Sequence, residues 1–453
     1  MKFAGICFAT AALILLAAPG AWGEEPPPLA VTRAVLIDGR GGPAVEGATI
    51  LIRKGRIAAA GPGKKIEIPS GTRILDAAGK TVMPGLCDMH VHLTGGWNGW
   101  SLDFLGHKRY LRALLYAGVT TVLDTGNVQA FILQVRQEVR AGRVAGPRIF
   151  CVGPLIDGPD LIWPHISTSL VSKNQVPGLV ERLADAGVDM LKVYLGPGLD
   201  LVRTLAREGK ARGLGVLADQ WELNGSMDLV RAGVAAFAHM PHRRMDPPVI
   251  AEMKQRGVRC LTTLTVFESF SRERLKDLSF LDDPLIRNTM PPAFIEGVRA
   301  EAARELTPQD RDNMRVYGKR REALANAAKL FEAGILLAAG TDTPFAGVFY
   351  GEGLHRELEL LVEAGLTPLQ VISLATRNAA RFLDAGEEWG TLEKGRAADL
   401  LIVDGRPDRN ISDTRKITAV IQGGRVLDRE ALSYNPDTDP GHLPWNYVSG
   451  GRD

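Results

Sequence analysis

The chain has 453 residues, 45% hydrophobic and 23% charged, with 50 Gly and 27 Pro. These proportions exclude a coiled coil, a collagen-like fibre and an intrinsically disordered chain. Lys and Arg total 54 against 52 Asp and Glu, a formal charge of +2; with no basic stripe, nucleic acid is not an expected partner.

The first 23 residues read as an address. Met1-Lys2 precedes an apolar or small-residue run from Ala4 to Ala18, Pro19-Gly20 breaks it, and Ala21-Trp22-Gly23 resembles a small-x-small cleavage site. The run is shorter than the ~20 residues a membrane span needs. The expectation is a signal peptide over 1–23, a mature chain from Glu24, a secreted or periplasmic location, and no membrane span once the leader is gone. Removing the leader also removes Cys7. Cys87, Cys151 and Cys260 remain. An odd, sparse count is not a disulfide framework, and three free, buried thiols are predicted.

From Leu29 to Thr81 short alternating runs are divided by turn signals. Ala34–Ile37 leads to Asp38-Gly39, Ala48–Ile52 to Lys54-Gly55, and Ile57–Ala60 to Gly61-Pro62-Gly63. The far end repeats this pattern, with Asp399–Val403 before Asp404-Gly405 and Ile417–Ile421 before Gly423-Gly424. Residues 24–82 and 386–453 are therefore expected to form one small β-sandwich domain from both chain ends.

Between them, eight β-type runs alternate with helical patterns: Gly85–His92, Thr120–Asp124, Arg148–Gly153, Val188–Leu195, Gly215–Gln220, Ala235–His239, Val258–Thr265 and Ile335–Thr341. A βα unit repeated eight times predicts an α/β fold, a (β/α)8 TIM-like barrel, over residues 83–385. The stretch near 267–321 is too long for one loop, and helical periodicity in Phe294–Glu305 makes it a helical insertion, one that could cover the barrel mouth or be a solvated decoration with no part in catalysis.

Chemistry-bearing residues gather at the predicted strand ends. His90 and His92 close the first strand. Period two places them on one face, with Met89 and Val91 on the other, ~7 Å apart along the strand and able to converge on one metal ion. A lysine, Lys192, lies in the fourth strand, where a buried charge demands a partner. His239 ends the sixth strand and Asp342 the eighth. Tyr194, His165 and His242 lie near these ends and are candidates for binding substrate, and Arg243-Arg244 could attract a substrate carboxylate.

The setting Met83-Pro84-Gly85-Leu86-Cys87-Asp88-Met89-His90-Val91-His92 resembles the amidohydrolase superfamily, in its imidazolonepropionase-related and dipeptidase-like branch. The resemblance runs from about Leu29 to Leu432. It includes Asp189–Tyr194, Ala236–Met240, Ala339–Thr343 and Gly390–Leu400. It implies a metal-dependent hydrolase of C–N bonds acting on a small molecule with one or two divalent ions, zinc being the expected metal. His90, His92, Lys192, His239 and Asp342 would be ligands, Lys192 as a carboxylated lysine. Asp342 would also be the catalytic base that takes a proton from water. A lactonase or deaminase on the same scaffold, or a metal-depleted binding protein, is the alternative. Oligomeric state is left open, a homo-oligomer included.

One position departs from the pattern. Counting back from His239 by the family's usual interval lands on Asp219 where a histidine ligand is expected, and no histidine lies between His165 and His239. Three outcomes follow. Asp219 ligates metal through oxygen, it pairs with an uncarboxylated Lys192, or the metal centre is lost.

Overall fold

The computed structural model describes residues 27–99, 101–219, 226–318, 320–439 and 441. The predicted leader, Cys7 and Gln220 lie outside these residues. In chain order the strands are β1 (Leu29–Leu36), β2 (Val45–Arg53), β3 (Arg56–Pro62), β4 (Arg73–Asp76), β5 (Thr81–Pro84), β6 (Leu86–Val91), β7 (Val119–Asp124), β8 (Arg148–Cys151) and β9 (Leu155–Asp157). They continue as β10 (Ser167–Ser169), β11 (Leu191–Val193), β12 (Val216–Ala218), β13 (Ala236–Phe237), β14 (Arg259–Leu261), β15 (Leu337–Ala338), β16 (Leu400–Val403), β17 (Ile417–Gln422) and β18 (Arg425–Val426).

Both chain ends build one eight-stranded sheet, in the order β18-β17-β16-β5-β1-β2-β3 with β4 beside β1. Here the alternating runs become antiparallel pairs: Leu29 faces Ile52 across the β1–β2 hairpin, and Leu400 faces Pro84 across β16 and β5, which come from opposite ends of the chain. The apolar positions of these strands, among them Val31, Ile50, Val82, Leu400 and Ile421, pack into a core of their own. This sheet hands the chain directly to the barrel, because only Gly85 separates β5 from β6.

The barrel is the expected one. Strands β6-β7-β8 pair in parallel, as do β9-β11-β12-β13-β14-β15. Backbone hydrogen bonds join the two sets on both sides. Asp189 N donates to Cys151 O at 2.8 Å ahead of β11, and Met89 N donates to Ala339 O at 3.0 Å past β15. A parallel bridge between Val91 and Thr343 completes the ring. A closed ring leaves no unpaired edge and sets the C-terminal strand ends around one mouth. Inside it, Cys87, Met89, Leu123, Met190, Leu217 and Leu261 pack together. Outside it, helices cover the strands with Leu and Val side chains.

Two local expectations give way. Strict alternation along β6 does not hold. The register on β7 slips between Asp88 and Val91, so Met89 packs in the interior while Val91 joins the outer core. Such a bulge re-aims side chains next to a functional site. The seventh strand is also shorter than its β-branched residues suggested, ending at Leu261. Thr263 adopts a left-handed φ of 44° and a helix runs over Leu264–Phe270. The deciding partner lies far along the chain. The buried Glu357 carboxylate accepts from Thr262 Oγ1 at 2.5 Å, Leu264 N at 2.9 Å and Thr265 N at 2.8 Å, which satisfies a helix start.

The insertion after this strand is helical, with Pro292–Ala303 and Pro308–Tyr317 as its longer pieces. The second begins as its sequence dictates: Thr307 caps it, Asp310 answers as the capping-box partner, and Pro308 opens the first turn. Buried and half-buried ion pairs tie this region to the helix Glu352–Glu363 and to the C-terminal segment. Glu352 meets Arg274 at 2.7 Å and Arg415 at 2.9 Å; Arg415 also meets Asp283 at 2.8 Å, and Arg356 grips Glu268 with two nitrogens. Cys87, Cys151 and Cys260 are buried and unpaired, as expected. Burial pushes the Cys151 thiol up to about 12. Among the described residues no helix is long and apolar enough to cross a membrane.

Gly340 lets the eighth strand approach the first. A Cβ there would stand 2.9 Å from both Cβ and N of His90. Gly340→Ala is expected to destabilise the fold by ~1–3 kcal/mol, the usual scale of overpacking. Thermal unfolding checks this, and an unchanged midpoint would mean the strands have room to spare.

Candidate metal centre and active site

The strand ends bring the candidate ligands together. His90 Nε2 and His92 Nε2 each lie 3.2 Å from Asp342 Oδ1. Their ligand atoms all fall within 4.8 Å of one another, a spacing that could hold a metal ion. The backbone sets this arrangement. Asp342 N donates to His90 O at 2.8 Å, tying the eighth strand end to the first. Asp342 itself sits at a left-handed φ of 59°, a conformation that costs a residue with a side chain ~1–3 kcal/mol and that clusters at functional sites.

The imidazoles are oriented from behind. His90 Nδ1 lies 3.0 Å from Ala238 O and His92 Nδ1 2.9 Å from Gly126 O. A carbonyl can only accept, so each Nδ1 carries the proton and each Nε2 is left with its lone pair toward Asp342, as carbonyls behind metal-binding histidines hold them. Burial, with Lys192, His239 and His92 nearby, holds His90 well below its ordinary value; it is a neutral imidazole with a lone pair to give. Burial also opposes a proton on His92, but the adjoining Asp342 carboxylate outweighs it and raises that imidazole above its ordinary value. The trio therefore calls for positive charge among its atoms, which a proton or a metal cation can supply. The donor set fits a divalent ion: two imidazole nitrogens and a carboxylate oxygen, with space left on the cavity side.

The other candidates form a second half of the floor. Lys192, 1% exposed, places Nζ 2.8 Å from Asp219 Oδ2 and 3.3 Å from His90 Nε2. His239 Nε2 is 3.5 Å from Asp219 Oδ1, and its Nδ1 is 2.9 Å from the Thr263 hydroxyl. Burial works against ionising Asp219, yet Lys192 and His239 prevail and keep its carboxyl below the usual range. Tyr194 stands beside them and accepts from Trp163 Nε1 at 3.0 Å. Burial, then Asp219 and Asp342, hold its phenol well above the ordinary value, so the hydroxyl stays protonated.

Above this floor opens a cavity of about 550 Å³. His92, Lys192, Asp219, His239, Asp342 and Tyr194 all contribute to it, and so do His165 and His242. Arg243 lines it too, Arg244 does not, and the fully buried His90 lies directly behind its surface. The sequence reading missed the wall. Phe267 and Phe270 from the helix after β14, Tyr317 from the insertion and Phe345 after the eighth strand surround the mouth. Phe270 meets Phe345 edge to face at 4.8 Å, and His242 meets Tyr317 at 5.3 Å. The aromatic spacing around the insertion was the available signal, but it does not say which faces turn inward.

The chain belongs to the amidohydrolase family, whose model matches residues 81–427. An adenine deaminase of Mesorhizobium japonicum is 23% identical over 92% of this chain, and another from a Ruegeria species is 31% identical over 88%. The chain spans only 60% and 57% of the length of these two relatives. Among solved structures, a putative prolidase from Bifidobacterium longum matches with a TM-score of 0.74 and 26% identity, covering 91% of this chain and 98% of its own.

His92→Asn shortens the reach of one ligand without touching the core. The variant is expected to keep its far-ultraviolet circular dichroism and lose most of its bound divalent ion on dialysis. Metal content equal to the parent protein would remove His92 from the ligand set.

Proposed function

We propose that the chain is a metal-dependent amidohydrolase that cleaves the C–N bond of a small amide or dipeptide. The observation that carries this reading is the convergence of His90, His92 and Asp342 at the floor of a largely apolar cavity. Two imidazoles and a carboxylate with an open position suit zinc. Bound there, a divalent ion would polarise a carbonyl and make water more acidic.

The chain's own residues supply the rest. Asp342 lies within reach of any water at the trio, and its carboxylate accepts the proton as the water attacks. The same carboxyl then returns that proton to the departing nitrogen. Tyr194, kept as a neutral phenol, is a donor for the carbonyl oxygen as negative charge grows there. Phe267, Phe270 and Phe345 shed water from the cavity and receive an apolar or aromatic side chain of the substrate. Arg243, on the cavity rim beside His242, is placed to meet a terminal carboxylate.

Deamination is the second reading, because the likeness to adenine deaminases covers most of this chain. Amide hydrolysis is preferred because the prolidase-like structure is matched over 98% of its length, against 60% and 57% for the two adenine deaminases, although a 5-methylthioadenosine/S-adenosylhomocysteine deaminase is matched over 90% of its own.

Asp342→Asn is expected to lower kcat by ~10²–10⁴, the usual worth of a positioned base, while leaving thermal stability near that of the parent. Chelation should abolish hydrolysis of N-acyl amino acids and dipeptides, and added zinc should restore it. Absence of hydrolysis across such a panel, with ammonia released from aminopurines instead, would establish the second reading. Arg243→Ala should raise KM about tenfold for carboxylate-bearing substrates, as loss of a charged hydrogen bond does, and leave the matching neutral amides unaffected. Equal effects on both would place the substrate carboxylate elsewhere.

A further inference from the structure

We infer that this site holds a single divalent ion, at His90, His92 and Asp342, and that the Lys192–Asp219 pair takes the place of a second. The inference rests on the proposed metal-dependent reading and concerns how many ions the floor accepts.

The floor has two halves that share His90. On one side stand His92 and Asp342, on the other Lys192, Asp219 and His239. The second half balances its own charge. The Lys192 ammonium meets the Asp219 carboxylate at 2.8 Å, and both side chains are almost wholly out of solvent. Removing one member of such a pair leaves an uncompensated buried charge, which costs far more than the pair itself contributes. Carboxylation of Lys192 would do worse than remove the cation. The ammonium would first give up a proton, carbon dioxide would then add to the amine with loss of a second, and the cation would become an anion in contact with another anion. Only a further divalent ion could reconcile them.

A neutral histidine at position 219 would set no such condition. It offers a lone pair to a metal and no countercharge to an ammonium. Aspartate at 219 therefore changes the balance of this half rather than swapping one ligand for another. The placement of Nζ adds to this. The ammonium lies 2.8 Å from Asp219 and 3.3 Å from His90 Nε2, so a second divalent ion among Lys192, Asp219 and His239 would sit against a positive charge in a water-poor setting, where like charges repel strongly. In this arrangement the ammonium is a fixed cation at the floor. It can face the oxygen of a bound carbonyl, and Asp219, which also meets His239, holds it in position.

Metal analysis of the purified, zinc-saturated protein tests this directly, together with carbon NMR after exposure to isotopically labelled bicarbonate. The expected result is one ion per chain and no carbamate signal. Asp219→His is expected to bind two ions and to gain the carbamate. Two ions per chain or a carbamate in the parent protein would overturn the inference, as would zinc-saturated protein that retains no ion. If Asp219→His fails to fold, the parent measurements decide alone. One ion without amide hydrolysis would sink the proposed activity and leave this inference standing; hydrolysis with two ions and a carbamate would do the reverse.

Discussion

The site depends on three crowded atoms that cannot rest beside one another without positive charge. His90 Nε2 and His92 Nε2 both crowd one oxygen of Asp342, and the carbonyls of Ala238 and Gly126 fix both rings so that neither can turn away. Protein interiors tolerate such a concentration of electron pairs only where a cation satisfies it. The barrel makes the crowding possible, because the last strand returns to the first and brings Asp342 onto the His90 carbonyl. The left-handed backbone at Asp342 is a second cost borne at the same point.

Much of this was legible in the chain, for identifiable reasons. Eight apolar β-type runs separated by helical spacing define a closed parallel barrel almost without reference to side-chain detail. His90 and His92 stood out as two imidazoles on one face of one strand, and Lys192, His239 and Asp342 stood out through the family resemblance of the segments around them. Asp219 stood out by its place in the interval before His239. Its closeness to Lys192 was one of three outcomes the sequence left open, and the distance between them is a property of the folded barrel.

What escaped the sequence depended on partners remote along the chain. The run Cys260–Thr265 reads as strand by composition, and nothing nearby announces that Glu357 turns its second half into a helix start. The slip in β6 is likewise invisible to a period of two, because it is set by pairing with β7. The aromatic wall was missed because a long helical insertion has many faces, and only packing against the barrel selects the one that turns inward.

The ion pairs that lash the insertion to the helix Glu352–Glu363 have a further meaning. Arg274, Glu352, Arg415 and Asp283 hold the insertion through side chains that do not line the cavity. Phe267, Phe270 and Tyr317 are thus displayed from a scaffold whose anchorage does not involve them. Evolution can rewrite this rim one side chain at a time, trading one clientele for another while the floor beneath is inherited intact.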